Sequence, residues 1–208
     1  MSNQVKILVV TGGIGSGKSV ACEYFRSLGL PVYDSDSRTK LLYDLIPSLV
    51  ERLETELGAT LKDEATGKLD RKRLASIIFS DPSQLAKLEA VVHPEVMRDF
   101  NLWAHQHQDA DLLVFESAIV LEKPLFTHFG DYVLEVTASE QIRLERACAR
   151  DNVDKEAVAA RIRTQAESTR VRQPDFTIRN ESDLESLKSE LLSLYLYLCA
   201  PQNSGSRQ

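Results

Sequence analysis

Residues 12–19 read Gly-Gly-Ile-Gly-Ser-Gly-Lys-Ser and satisfy G-x-x-x-x-G-K-[ST] at every defined position. Such a run demands a strand before it and a helix after it. Val5 to Thr11 (VKILVVT) supplies the strand, a β-branched run bounded by glycines that reads as buried. Lys18 to Leu28 supplies the helix, ended by Gly29. Between them the glycines let the chain curl until its N–H groups converge on an anion. The helix N-terminus adds a partial positive charge at the same point. In this arrangement Gly13, Gly15, Ser16 and Gly17 cradle a nucleotide's phosphates and Lys18 reaches the β- and γ-phosphates. Ser19 offers its hydroxyl to Mg²⁺, and the Val20 N–H faces the α-phosphate.

The rest of the chain repeats the strand–helix rhythm. Pro31 to Asp34, Leu112 to Glu116, Tyr132 to Thr137 and Phe176 to Arg179 read as four further short strands separated by helical patterns. That alternation predicts an α/β fold with right-handed crossovers and a five-stranded, mostly parallel sheet. Residues 37–108 break the rhythm, with no clear strand and several helix signals. Asp70 precedes one helix, Asp81-Pro82 caps another, and His93-Pro94 is read as opening a third. The stretch predicts a helical insertion into one α/β domain. Asp154 is expected to cap a later helix and Ser182-x-x-Glu185 to box the last one. The tail from Pro201 to Gln208 is expected to be disordered.

Composition removes whole classes of partner. Among 208 residues, 25 Lys and Arg face 31 Asp and Glu, so the net charge of −6 argues against a duplex nucleic-acid binder. Cys22, Cys148 and Cys199 are odd in number, widely spaced and without a Cys-x-x-Cys, which reads as free thiols in a reducing compartment. The N-terminus lacks the marks of a signal peptide, and Leu191 to Ala200 is too short to span a bilayer. The expected location is the cytoplasm, with no membrane partner.

No Asn-Lys-x-Asp segment is present for reading guanine, so a switch GTPase is excluded. At this size a small-molecule kinase is the expected class. Asp34 and Asp36 end the second strand, where a carboxylate can orient an acceptor hydroxyl and take its proton. Asp36 is the expected base, because Asp34 fits better as the cap of the next helix. Residues 143–179 hold eight Arg and a single Lys, a bias that suits forked contacts to phosphate and a lid over about 139–172. Arg146 and Arg150 are the first candidates and Arg161 the next, against the alternative of a solvated, salt-bridged face. Glu116 ends the third strand, where it either holds a Mg²⁺-bound water or makes a structural contact to Lys18 or Ser19. His93 is either a helix-capping residue or an acceptor-facing one.

Taken in order, TGGIGSGKS, Val32 to Asp36, His93-Pro94, Glu116 to Glu122, Arg150-Asp151 and Arg161…Gln165 resemble the dephospho-CoA kinase family from about residue 5 to residue 195. The resemblance implies transfer of the γ-phosphoryl of ATP to the 3′-hydroxyl of dephospho-CoA, the last step of coenzyme A synthesis. It implies a nucleotide core, a helical CoA-binding region and a mobile lid. It also implies substrate contacts at Asp34, at Lys40 or Arg38, and at His93, with Asn180 framing adenine. Three positions depart from the family pattern: Glu116-Ser117-Ala118 stands where Asp-x-Pro is usual, Asn180-Glu181-Ser182 where Asn-x-Gly is usual, and Lys40, with Arg38 the alternative, for the basic residue usual one turn after the acidic pair. The rival functions are a nucleoside or nucleoside-monophosphate kinase and a non-catalytic ATP-binding module.

Overall fold

In the computed structural model, residues 5–151, 154–166 and 169–200 are described, and the expected disordered tail lies outside them. The chain divides into two compact units, residues 34–106 and the remainder on either side.

The larger unit is built on strands β1 (Lys6–Thr11), β2 (Val32–Asp34, whose last residue opens the smaller unit), β3 (Leu112–Glu116), β4 (Tyr132–Thr137) and β5 (Phe176–Arg179). They form one parallel sheet in the order β2-β3-β1-β4-β5. Strand β1 takes the centre, with Leu8, Val9 and Val10 fully buried. Its register pairs Val10 with Glu116 and Thr11 with Glu135, so both acids stand beside the start of the glycine-rich loop. Helix α1 (Lys18–Ser27) buries Ala21, Cys22 and Phe25. These pack in one cluster with Leu8, Val10, Val114 and Leu134 of the sheet and with Leu187, Leu191 and Leu194.

The smaller unit holds α2 (Ser35–Leu45), α3 (Pro47–Leu57), α4 (Arg71–Ser80) and α5 (Pro82–His105). Asp34 caps α2 as the sequence suggests, whereas α3 carries no cap signal as plain as Asp70 or Asp81. The chain turns between them at Ile46, and Pro47 begins α3. His93-Pro94 does not open a helix: it lies inside the 24-residue α5. A proline there removes one backbone donor. The apolar stripe of Val91, Val92, Val96 and Phe100 is nevertheless buried on both sides of it. That burial carries the helix through the break.

Helices α6 (Glu140–Asp151), α7 (Lys155–Ala166) and α8 (Leu184–Cys199) belong to the larger unit. Asp154 caps α7, accepting from the Glu156 N–H at 3.0 Å. The cap of α8 falls one residue later than the Ser182 box predicts. Asp183 takes it, accepting from the Ser186 N–H at 2.8 Å. A carboxylate is as good an N-cap as a hydroxyl, so the shift costs nothing. Among the described residues, no helix is long and apolar enough to cross a membrane.

Candidate active site

The loop between β1 and α1 is held by its glycines. Gly17 is the N-cap of α1 at φ 99°, and a Cβ there would collide with the Asn180 carboxamide. Gly15, at φ 75°, lies so close to the Arg143 backbone that a Cβ would strike its carbonyl. Both positions therefore exclude other residues by conformation and by space. The Ser16 N–H donates to the Gly13 carbonyl at 3.1 Å. The buried Ser16 Oγ has no partner among the described residues.

At the mouth of the loop, Lys18 Nζ donates to Glu116 Oε1 at 2.8 Å, and Ser19 Oγ donates to the same oxygen at 3.0 Å. The side chains of Lys18 and Glu116 are only 14% and 7% exposed. Register explains the meeting: Glu116 pairs with Val10, and the Ser117 N–H donates to the Val10 carbonyl at 3.1 Å. Both alternatives posed by the sequence for Glu116 are compatible with this contact, because the carboxylate that holds Lys18 also stands against the Ser19 hydroxyl. Below them Cys22 is buried, and its thiol is pushed well up, first by burial and then by the neighbouring Glu116. A hydroxyl and a carboxylate 3.0 Å apart are hard oxygen donors suited to Mg²⁺, which takes one or two protein ligands and completes its shell with phosphate and water. Among the described residues there is no cluster of three or more His, Cys, Asp or Glu that could cage a metal alone.

Asn180 closes the loop from the β5 side. Its Nδ2 donates to the Ser16 carbonyl at 2.9 Å and its N–H to the Thr137 carbonyl at 2.8 Å. Its own carbonyl accepts from Arg146 Nη1 at 2.9 Å. Asn180 and Arg146 thus meet each other beside the loop. The next residue, Glu181, ties this corner to the start of α6, accepting from the Ser139 N–H at 2.9 Å.

Arg143, on the same helix face as Arg146 but not singled out from sequence, reaches the loop directly. Its Nε donates to the Ile14 carbonyl at 2.9 Å and its Nη2 to Gln165 Oε1 at 3.2 Å. The Ile14 N–H donates to the same Gln165 oxygen at 2.9 Å. Desolvation pulls the Arg143 pKa down, against the pull of Glu140 and Glu135. The spacings of three and four put Arg143, Arg146 and Arg150 on one helix face from sequence, but they do not say which of the three meets the loop.

The remaining arginines differ. Arg150 and Arg161 are exposed. Arg170 forks onto Glu135 at 2.9 and 2.7 Å, and Arg172 donates to the Phe129 carbonyl at 2.5 Å. These two tie residues 170–172 to the sheet and its flanking loop, which spends them on structure.

In the smaller unit, Asp34 is the N-cap of α2, accepting from the N–H groups of Asp36 at 3.1 Å and Ser37 at 3.0 Å. Asp36 follows in the first helical turn and is exposed. Arg38 forks onto Asp99 at 2.8 and 2.6 Å, while Lys40 is exposed one turn beyond Asp36. His93 is half-buried in mid-helix, so the helix-capping reading of it fails. Glu95, two residues further along α5, is buried and accepts from Arg52 at 2.6 Å and from Arg98.

A parallel sheet with a glycine-rich phosphate loop at the end of its central strand, closed by a Lys–acid–hydroxyl cluster, defines an α/β kinase of the phosphate-loop type. The dephospho-CoA kinase family profile matches residues 6–186. A dephospho-CoA kinase of Porphyromonas gingivalis is 43% identical over 156 residues, covering 75% of each chain. One of Bacteroides fragilis is 31% identical over 203 residues, covering 94% of this chain and 97% of its own. The crystal structure of TT1252 from Thermus thermophilus superposes with a TM-score of 0.74 at 32% identity, covering 94% of this chain and 99% of that one. The chain belongs to the dephospho-CoA kinase family. It is an enzyme of coenzyme A synthesis that phosphorylates dephospho-CoA at the expense of ATP, and the rival acceptors are not favoured.

Proposed function

We propose that the γ-phosphoryl of ATP passes to the 3′-hydroxyl of dephospho-CoA across a site whose charged centre is Lys18, Glu116 and Ser19. The observation that carries this reading is the pair of hydrogen bonds converging on Glu116 Oε1 at the mouth of a complete phosphate loop. Lys18 shifts from Glu116 to the β- and γ-phosphates and stabilises charge on the transferring group. The N–H groups of Gly13, Gly15, Ser16, Gly17 and Val20 line the phosphates. Asn180 stacks its backbone toward adenine while its side chain holds the loop. Ser19 and, through water, Glu116 would hold Mg²⁺, which would supply charge neutralisation to the phosphates.

Asp36 orients the acceptor hydroxyl and accepts its proton. It lies two residues beyond the end of β2, and the carboxyl ends of strands in such sheets are where ligands bind. Asp34, already spent on the helix cap, fixes the backbone that presents Asp36. Lys40 is the better-placed phosphate contact of the basic pair, since Arg38 is forked onto Asp99. Together with His93 it would serve the acceptor in the helical unit.

Among the described residues, Arg146 has four guanidinium donors left beyond its bond to Asn180. With Arg150 and Arg161 it closes over the nucleotide as a lid spanning α6 and α7. Three unpaired cysteines favour a reducing, cytoplasmic setting.

The test is an acceptor panel at one ATP concentration: dephospho-CoA, nucleosides and nucleoside monophosphates. Phosphorus NMR of the product should report a ribose 3′-phosphomonoester. A phosphate found elsewhere on the product, or faster transfer to a nucleoside, would defeat the reading.

A further inference from the structure

The peptide units on either side of Ile14 are held more tightly than phosphate binding alone requires. The Gly13–Ile14 peptide is gripped at both ends. Its carbonyl accepts from the Ser16 N–H at 3.1 Å, and its N–H donates to Gln165 Oε1 at 2.9 Å. The Ile14–Gly15 peptide is gripped at its carbonyl by Arg143 Nε at 2.9 Å. Arg143 and Gln165 also bond to each other at 3.2 Å, closing a ring of three residues from the loop, α6 and α7. Two donors converging on one Gln165 atom assign it as the oxygen. The Ile14 side chain adds an apolar anchor, packed against Ala147, Val158 and Ile162.

A trans peptide is planar, so fixing one end fixes the other. With Arg143 on the Ile14 carbonyl, the Gly15 N–H must point the opposite way. With Gln165 on the Ile14 N–H, that donor is withdrawn from the anion-binding set, and the loop cannot flip this peptide when empty.

We propose that Gln165 is a positioning residue for the phosphate loop, locking the Ile14 peptides so that the loop is pre-formed before nucleotide arrives. The inference rests on the reading that this loop holds the nucleotide's phosphates, and it adds the group that sets the loop's shape. Pre-organisation of this kind raises affinity by removing the ordering that binding would otherwise require. Without the carboxamide oxygen, the Ile14 N–H loses its acceptor and the loop samples other conformers. ADP and ATP should then bind more weakly, with no effect on the acceptor.

The test compares Gln165→Met, which keeps length and helix propensity but cannot accept, with Gln165→Glu, which keeps the acceptor beside Arg143. Gln165→Met should raise the Kd for ADP and the KM for ATP about tenfold, the scale of one lost acceptor to a half-buried N–H. The KM for dephospho-CoA should stay within about twofold, and Gln165→Glu should restore ADP affinity to within about threefold of wild type. Hydrogen exchange at the Ile14 amide of the wild-type enzyme supplies a reading that needs no variant, and it should be protected before nucleotide is added. A lower Tm for Gln165→Met with unchanged ADP affinity would reduce Gln165 to a packing role and overturn the proposal. So would a Glu variant as weak as the Met variant, or an unprotected Ile14 amide. Wild-type enzyme that fails to bind ADP would overturn the nucleotide-loop reading itself, a result distinct from equal ADP binding by wild type and Gln165→Met.

Discussion

Replacing Glu116 with Gln should destabilise the free enzyme and at the same time enlarge its stabilisation by ATP. In the structure Lys18 Nζ lies 2.8 Å from Glu116 Oε1, and both side chains are largely buried. At an effective dielectric of about 20, two unit charges at that distance attract by roughly 6 kcal/mol before desolvation is counted. Glutamine keeps an oxygen to accept from Lys18 and Ser19 but removes the charge, leaving a desolvated ammonium without its counterion. Allowing for partial exposure and the retained hydrogen bond, the net cost is about 2 kcal/mol. For a chain of 208 residues that corresponds to a Tm about 4–8 °C lower. ATP brings phosphate charge to the same ammonium, so the variant recovers on binding what it lost. In a thermal-shift titration with ATP and chelator, its Tm increment should exceed that of wild type by most of the initial deficit. Equal Tm values without ligand, or equal increments, would show that Glu116 does not balance Lys18 and would refute the electrostatic argument.

Lys18→Ala should abolish phosphoryl transfer with the fold retained, since alanine suits the first turn of α1; circular dichroism and a coupled assay check both halves. Asp36→Asn should lower kcat by roughly 100-fold with ATP affinity unchanged, whereas Asp34→Ala, which removes the cap of α2, should act mainly on Tm; the reverse pattern would move the base to Asp34. The Arg52 hydrogen bond, helped by Arg98, holds the Glu95 carboxyl below its ordinary value of 4.5. A depressed folded-state pKa gives stability that is present above that ordinary value and lost as pH falls through the folded one. The Tm gap between wild type and Glu95→Gln should therefore be full at pH 7 and close on acidification below about 4.5; a constant gap would sink the linkage.

Much of the nucleotide half was legible because its chemistry is local. The glycines, Lys18 and Ser19 occupy consecutive positions, and the strand and helix around them follow from periodicity. Glu116 could be placed at a strand end, but that it touches both Lys18 and Ser19 depends on the β1–β3 register, which no local pattern encodes. Arg143 and Gln165 lie 129 and 151 residues from Ile14 along the chain, and their meeting with it is a product of tertiary packing alone. The proline in α5 misled for the opposite reason. A strong local signal at Pro94 was overridden by an apolar stripe that continues past it. Cap positions slipped by one residue where Ser182 and Asp183 compete, because adjacent residues of equal capping power leave the choice to the strand–helix geometry.

The fork of Arg170 onto Glu135 has a consequence for how the α6–α7 pair can vary. One foot of the pair is tied at Ser139 through Glu181, and the other at Arg170 through β4. In polymer terms the intervening chain is a loop whose ends are pinned by the sheet, not by its own length. Lengthening such a loop raises its closure entropy only logarithmically, about 0.6 kcal/mol for each doubling. The two pinned feet therefore keep Arg143 and Arg146 of α6 in register with the sheet, whatever the length of chain between them.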